Sequence, residues 1–286
     1  MPNITPIYQA IEFIEDHLRQ AITVANIADA ASYSLYHFCR MFNQATHHSP
    51  YDYLMRRRLS ESARDLLATD KKIIEIALDY QFNSPEAYSR AFKRMFNVQP
   101  TRWKRQGSPD RRFLMSRLTR EHIAHRSRGG YRRPALENRN ALQLAGLMTL
   151  VQDDPADIVQ LWKVFVQELK RAGGVPDPAD YYGIVWHPRG WERSGFLYMA
   201  AVEVETLDLT ESALISKTLP PLRCARFIHK GPHNDRYLTL DYMYQTWLPQ
   251  SGQKLSYPLE IECYGHDLRG LDAEDTEWAI LIPVEA

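Results

Sequence analysis

The chain has 286 residues, 44% hydrophobic and 24% charged, and its 35 basic and 35 acidic side chains cancel. No apolar run approaches the roughly 20 residues of a membrane helix, and the start MPNITPIYQAIEFIEDHL lacks the basic region of a secretory signal. Cys39, Cys224 and Cys263 are too scattered for a disulfide framework or a zinc site, so the expected setting is a reducing cytoplasm with no metal, cofactor or membrane partner.

The zero net charge hides two opposite halves. Residues 1–133 hold 22 basic and 13 acidic side chains, whereas residues 134–286 hold 13 and 22. This asymmetry predicts one part that meets a polyanion and another with a separate task. Within the basic half, residues 1–106 carry only 14 basic against 11 acidic groups, and residues 107–133 supply the rest of the excess.

Residues 1–106 read almost entirely as helix. Ile7, Ile11, Ile14 and Leu18 form the first apolar stripe, and a short helix follows from Val24 to Ala31. Ser34 is placed to cap a helix whose inward side is Phe38, Met41, Phe42 and Ala45. Ser49-Pro50 opens a longer helix through Leu67, and Ile73–Tyr80 gives the next. Ser84-Pro85 opens a helix through Phe96 with Tyr88, Ala91, Phe92 and Met95 inward, and Pro100 starts a last short one.

These helices repeat. Ile27-Ala28 answers Ile76-Ala77 and Tyr33 answers Phe82, each 49 residues on. The offset then becomes 50: Arg40 matches Arg90, Phe42 matches Phe92, Pro50 matches Pro100 and Tyr53 matches Trp103. One residue inserted in the second turn explains the change. Each unit is a short helix, a tight turn and a second helix, the helix-turn-helix plan. Opposite the apolar stripes lie Tyr36, Cys39, Arg40 and Asn43 in the first unit and Glu86, Ser89, Arg90 and Lys93 in the second. Arginine holds guanine O6 and N7 bidentately, and glutamate accepts from cytosine N4, so these faces are candidates for reading base edges. The connecting helix spans about 27 Å. With its flanking turns it brings the two reading helices near the roughly 34 Å of one DNA turn, so a monomer fills two successive major grooves. Arg56, Arg57, Arg58, Arg102, Lys104 and Arg105 are candidates for phosphate contact, with at least one of Arg56–Arg58 expected in an internal ion pair.

At these residues the chain resembles the AraC/XylS family of transcription regulators, from about Ile4 to Arg105. The likeness is carried by A-x-x-x-x-F-x-S (Ala77 to Ser84), the aromatic-rich helix after it, and the closing P-x-x-W of Pro100–Trp103. The resemblance implies sequence-specific binding to double-stranded DNA and activation through contact with RNA polymerase. It places base-reading residues at Tyr36, Cys39 and Arg40 and at Pro85, Glu86 and Arg90. Ser32 and Gln81 stand where many members have glycine, which predicts an unusual backbone conformation at both turns.

Residues 107–133 contain eight arginines, two acids and Gly129-Gly130, and read as a basic linker. From Pro134 the periodicity is mixed. ALQLAGLMTLV, YYGIVWHP, GFLYMAAVEVE, LRCARFIHKG, LEIECYG and EWAILIPV read as strands, with helices near Pro155–Ala172 and Tyr237–Trp247. The expected fold is therefore multidomain: an all-α double helix-turn-helix domain over 1–106, a linker over 107–133, and an α+β domain with an antiparallel sheet over 134–286.

The last part resembles the GyrI-like effector-binding domain carried by some members of the same family, the Rob-like architecture. The likeness rests on FIHKGPH, the W-L-P-x-S-G run from Trp247 to Gly252, PLEIECY and the closing ILIPV. It implies two β-α-β-β units sharing a ligand pocket, which in relatives takes cationic, apolar molecules. Alternation along LEIECYG puts Glu260, Glu262 and Tyr264 on one face. Glu262 and Tyr264 under a helix carrying Trp162 would attract a desolvated cation, with Tyr182, Trp186 and Tyr198 as further walls. Pairing of Glu262 with an arginine such as Arg226 is the structural alternative. No nucleophile–histidine–acid constellation stands out, so an enzyme is not expected. The alternatives for this domain are a hydrolase using Glu262 as general base, or a ligand-free protein-interaction module.

Overall fold

The apolar spacing of the first part folds as helix where it predicts helix: α1 (Thr5–Asp16), α2 (Val24–Ala30), α3 (Leu35–Thr46), α4 (Pro50–Ala68), α5 (Ile73–Asp79), α6 (Pro85–Phe96) and α7 (Pro100–Gln106). The structure is a computed structural model and describes residues 4–106, 110–127, 134–152, 156–172, 180–188, 195–204, 213–266 and 276–285. The chain divides into two units, one of residues 1–129 with 240–251 and the other of residues 130–239 with 252–286.

Side-chain caps fix several helix starts. Thr23 Oγ1 accepts from Asn26 N at 3.2 Å while Asn26 Oδ1 accepts from Thr23 N, closing a reciprocal box. Ser49 and Ser84 cap α4 and α6 from Asp52 N and Ala87 N, each at 3.1 Å. Ser34 occupies the cap of α3 but makes no capping bond through its side chain.

Each motif closes on its own aromatic core. Phe38, Phe42 and Tyr53 pack with Ile7, Ile11 and Ile14 of α1 in the first. Tyr88, Phe92 and Trp103 pack with Ile76 and Ala77 in the second. Both turns place a non-glycine residue in the left-handed region, Ser32 at φ 57° and Gln81 at φ 63°. The left-handed conformation costs an L-residue about 1–2 kcal/mol. Glycine's looser unfolded chain returns part of that gain, so Ser32→Gly should raise stability by about 0.5–1 kcal/mol. A urea melt with an unchanged or lower midpoint would contradict the strain at this turn.

The expected linker is, over its described residues 110–127, part of the first unit. Leu114 enters the second motif's core, and Met115, Leu118 and Ile123 of the following stretch enter the first. The backbone of this stretch is held too: Met115 N donates to Ser60 Oγ at 2.9 Å and Leu118 N to Tyr53 Oη at 3.2 Å. Several of its arginines find protein partners. Arg120 lies 4.2 Å over the Tyr8 ring, Arg117 pairs with Glu12, and Arg126 is buried in the helix α8 (Arg120–Ser127).

The second unit is built on an antiparallel eight-stranded sheet: β1 (Ala135–Arg139), β2 (Leu142–Val151), β3 (Tyr181–Trp186), β4 (Phe196–Glu203), β5 (Ile215–Leu219), β6 (Leu222–Lys230), β7 (Leu259–Gly265) and β8 (Glu277–Pro283). The order is β1-β6-β8-β7-β3-β4-β2-β5, so β1 joins the later half and β5 the earlier one. These two edge strands are short and polar, and the alternation signal missed both. One sheet face gathers Leu142 and Leu219 from one end with Leu222 and Cys224 from the other into a single apolar cluster, so the sheet curls. The opposite face receives α9 (Ala156–Arg171) through Phe165 and Leu169.

A helical run follows β6: α10 (Arg236–Tyr242), a π-helical turn (Met243–Trp247) and α11 (Leu248–Ser251). Its residues 240–251 group with the first unit. There His48, 1% exposed, donates from Nδ1 to Asp52 Oδ2 at 2.7 Å and accepts from Thr246 Oγ1 at Nε2, 2.9 Å away. Burial, with Arg126 nearby, pushes the His48 imidazole down to about 4. A histidine held neutral below its free value stabilises the fold fully above about pH 6.5, and that stability falls as the unfolded state takes up a proton. The loss between pH 6.5 and about 4 should approach 3 kcal/mol. It should be smaller in His48→Gln, measured by urea unfolding across that range; equal slopes in both proteins would refute it. Among the described residues, no helix is long and apolar enough to cross a membrane.

Candidate functional site

Two shared features make α3 and α6 equivalent. Both are 12 residues long and end on a left-handed residue, His47 and Asn97. Tyr36, Arg40 and Asn43 are exposed on α3, and Glu86, Arg90 and Lys93 on α6, each pair fifty residues apart. Tyr36 is 82% exposed at the start of α3. Cys39 and Ser89 lie half-buried at the edge of each face, and Cys39 packs against the first core. Pro85 is the first residue of α6 and half-buried. The Glu86 carboxyl is held below its ordinary range by backbone N–H at the helix start and by Ser84.

The arginines proposed for phosphate divide. Arg56 pairs with Asp52 at 2.8 Å. Arg57 grips Glu15 through Nε and Nη2 at 2.8 and 2.7 Å, and Arg58 donates to Leu18 O and Gln20 O. Lys104 donates to Thr69 O and Lys71 O, while Arg102 and Arg105 are exposed. Arg57 and Arg58 therefore tie α4 to α1 and the turn after it, Arg56 pairs within α4, and Arg102 and Arg105 of α7 stay open to solvent.

In the second unit, four of the expected wall residues converge. Glu262 is fully buried, and its Oε2 accepts from Tyr198 Oη at 2.8 Å and from Tyr264 Oη. Trp162 Nε1 donates to Tyr198 Oη at 3.1 Å and its ring meets Tyr264 edge-on at 5.5 Å. Gly183 lies directly opposite Glu262 on β3, where a Cβ would overlap the Tyr198 hydroxyl and the carboxylate. Tyr182 and Trp186 are not part of this group. Neighbouring residues of a strand point to opposite faces, and these two lie with Ile184, Ile261 and Met199 in the other cluster. Tyr182 there donates to Glu203 at 3.1 Å.

The charge partner of Glu262 is Arg236 rather than Arg226. Arg236 Nη1 donates to Glu262 Oε1, and His233 Nε2 lies 3.7 Å from Oε2. His233 stacks on Trp278 at 5.6 Å, and Trp278 packs on Tyr264 at 5.0 Å. Burial pushes the Glu262 carboxyl up, but the Arg236 guanidinium with His233 and Tyr264 outweighs it and holds the group below the carboxylate range. Burial and the neighbouring carboxylate raise both tyrosine hydroxyls well above their ordinary values. Arg236, His233 and Trp278 escaped the sequence reading because Arg236 and His233 reach Glu262, and Trp278 reaches Tyr264 and His233, from distant stretches of chain. The one available signal was Trp278, inward-facing by alternation in EWAILIPV.

A duplicated helix-turn-helix with matched exposed faces, joined to a curled sheet around a buried acid and aromatic rings, defines a DNA-reading module coupled to a small-molecule-binding type of domain. Comparison with known proteins agrees on both parts. The family described as a helix-turn-helix domain matches residues 27–106, and the GyrI-like small molecule binding domain matches residues 133–285. The chain belongs to the AraC family of transcription regulators and carries a carboxy-terminal GyrI-like domain. It is 42% identical over 94 residues to the HTH-type transcriptional regulator YbfP of Bacillus subtilis, covering 33% of this chain and 32% of YbfP. It is 41% identical over 93 residues to the transcriptional regulator Rob of Salmonella typhimurium, covering 32% of each. To the regulatory protein SoxS of Escherichia coli it is 34% identical over 95 residues, 33% of this chain and 89% of SoxS. The match thus spans about a third of the length of YbfP and Rob.

Proposed function

We propose that the chain is a cytoplasmic, sequence-specific DNA-binding transcription regulator, an activator that contacts RNA polymerase and reads double-stranded DNA as a monomer. The carrying observation is the pair of equivalent exposed faces on α3 and α6, fifty residues apart with Arg40 and Arg90 in register. The 19 residues of α4 extend about 28 Å, a length suited to helices in successive major grooves. Selection of bound DNA from a random pool by the full chain tests this. Arg40→Ala should cost about 1–3 kcal/mol at the selected site and relax one base position in one half of it, and Arg90→Ala should do the same in the other half. Unchanged base preference in both variants would refute the assignment.

The GyrI-like domain, on this reading, takes a small apolar effector at the Glu262 site, with Trp162, Tyr198 and Tyr264 as walls. A cationic effector must exchange with Arg236, which already neutralises the acid. That pairing favours a second reading, a ligand-free protein-interaction module whose site is filled by its own side chains. It weighs against a hydrolase, because a carboxylate held low by a guanidinium is a poor general base near neutral pH.

A further inference from the structure

We infer that the segment Leu240–Ser251 positions the first reading helix, α3, and so sets the base preference of one half-site without touching DNA. The inference rests on the reading of α3 and α6 as DNA-reading helices. The last carbonyls of a helix have no partner within it and need one from elsewhere. At the end of α3 the partners come from much later in the chain. Arg126 Nη1 donates to Thr46 O, and Gln250 Nε2 donates to His47 O at 2.9 Å. The Tyr242 ring meets the His47 ring edge-on at 5.4 Å. Thr246 Oγ1 accepts from Arg126 Nη2 at 3.3 Å and donates to His48 Nε2 at 2.9 Å. His48 in turn donates to Asp52, which also accepts from Arg56 at 2.8 Å. This chain of bonds spans the joint between α3 and α4, and two of its donors stand on residues 246 and 250.

The second motif is built differently at the same place. Fifty residues on from Thr46, His47 and His48 stand Phe96, Asn97 and Val98. Phe96 packs on Phe92 at 4.6 Å and on Trp103 at 4.9 Å, all within its own motif. The repeat is thus broken where the first helix is braced, and a polar, remotely held end replaces a locally packed apolar one. The leverage is large. From its fixed end at Thr46, α3 reaches about 15 Å to Tyr36, so a tilt of about 5° would move Tyr36 by about 1.3 Å. A displacement of that size removes a hydrogen bond.

The test uses the full chain and DNA selected from a random pool. Thr246→Val removes the hydroxyl with little change of shape, and Gln250→Ala removes an exposed donor that the fold does not need. Each should relax base preference several-fold in the half-site read by α3 and leave the half read by α6 unchanged, with Thr246→Ser restoring the pattern. Equal loss in both halves, as from general destabilisation, would overturn the inference, as would unchanged preference in both. Arg40→Ala and Arg90→Ala separate the two claims. If neither alters either half, the DNA-reading assignment fails and takes this inference with it. If both act and Thr246→Val and Gln250→Ala do not, only the positioning role is lost.

Discussion

Replacing Arg236 by methionine should cost the second unit about 3–5 kcal/mol, the usual penalty for stranding one member of a buried ion pair. Glu262 is fully buried, and Arg236 is the strongest group favouring its charged form. The Tyr198 and Tyr264 hydroxyls would remain, but they cannot neutralise a carboxylate. The same change should open the site to a competitor. A hydrophobic quaternary ammonium ion could take the vacated position against Trp162 and Tyr264, recovering charge pairing and ring contact together. Calorimetry should therefore find tighter binding of such an ion to Arg236→Met than to the unaltered chain, and weaker binding to Glu262→Gln. Equal affinity in all three proteins would remove the acid from the effector model and leave the interaction module as the better reading. Arg236→Lys, which keeps a cation, should preserve most of the stability and serves as the control for packing.

The second large effect lies in the first unit. Glu15→Ala should destabilise it by about 3 kcal/mol, the lower end of the range for breaking a buried pair. Arg57 is 5% exposed and Glu15 8%, and Tyr53 Oη also donates to Glu15 at 2.9 Å. The cost stays at the lower end because Glu61, 2.8 Å from Arg57, remains as a partner. Chemical unfolding of the two proteins at neutral pH measures the difference. A change below about 1 kcal/mol would place Arg57 among surface arginines and return it to the candidates for phosphate contact.

The helical part was legible because its signals are local. A 3.6-residue stripe, a serine before a proline and a 50-residue echo need no knowledge of distant partners. The same holds for Ser32 and Gln81: a side chain where a glycine is expected announces a left-handed turn, and both residues adopt one. The stretch from 107 to 133 reads as a linker because its arginines dominate the composition. Leu114, Met115, Leu118 and Ile123 are spaced too irregularly to read as a stripe, yet they are what the cores hold. The buried acid site was legible in part. Alternation correctly groups Glu262 with Tyr264, but it cannot say which face of a neighbouring strand joins them. That depends on register, and a slip of one residue exchanges the faces. Tyr182 and Trp186 illustrate the exchange. The choice of Arg236 over Arg226 follows from the same non-local pairing.

The first unit's division into two stretches carries a consequence for the order of synthesis. At about 5–20 residues per second, residue 251 follows residue 48 out of the ribosome after about 10–40 s. Helices form in about a microsecond, so α3 and α4 fold long before Thr246 and Gln250 exist to hold them. A message cut short between codons 130 and 240 would yield α3 and α6 without the bonds that Thr246 and Gln250 make at the end of α3. The bonds at the end of α3 are thus completed only after residues 130–239 of the second unit have been translated.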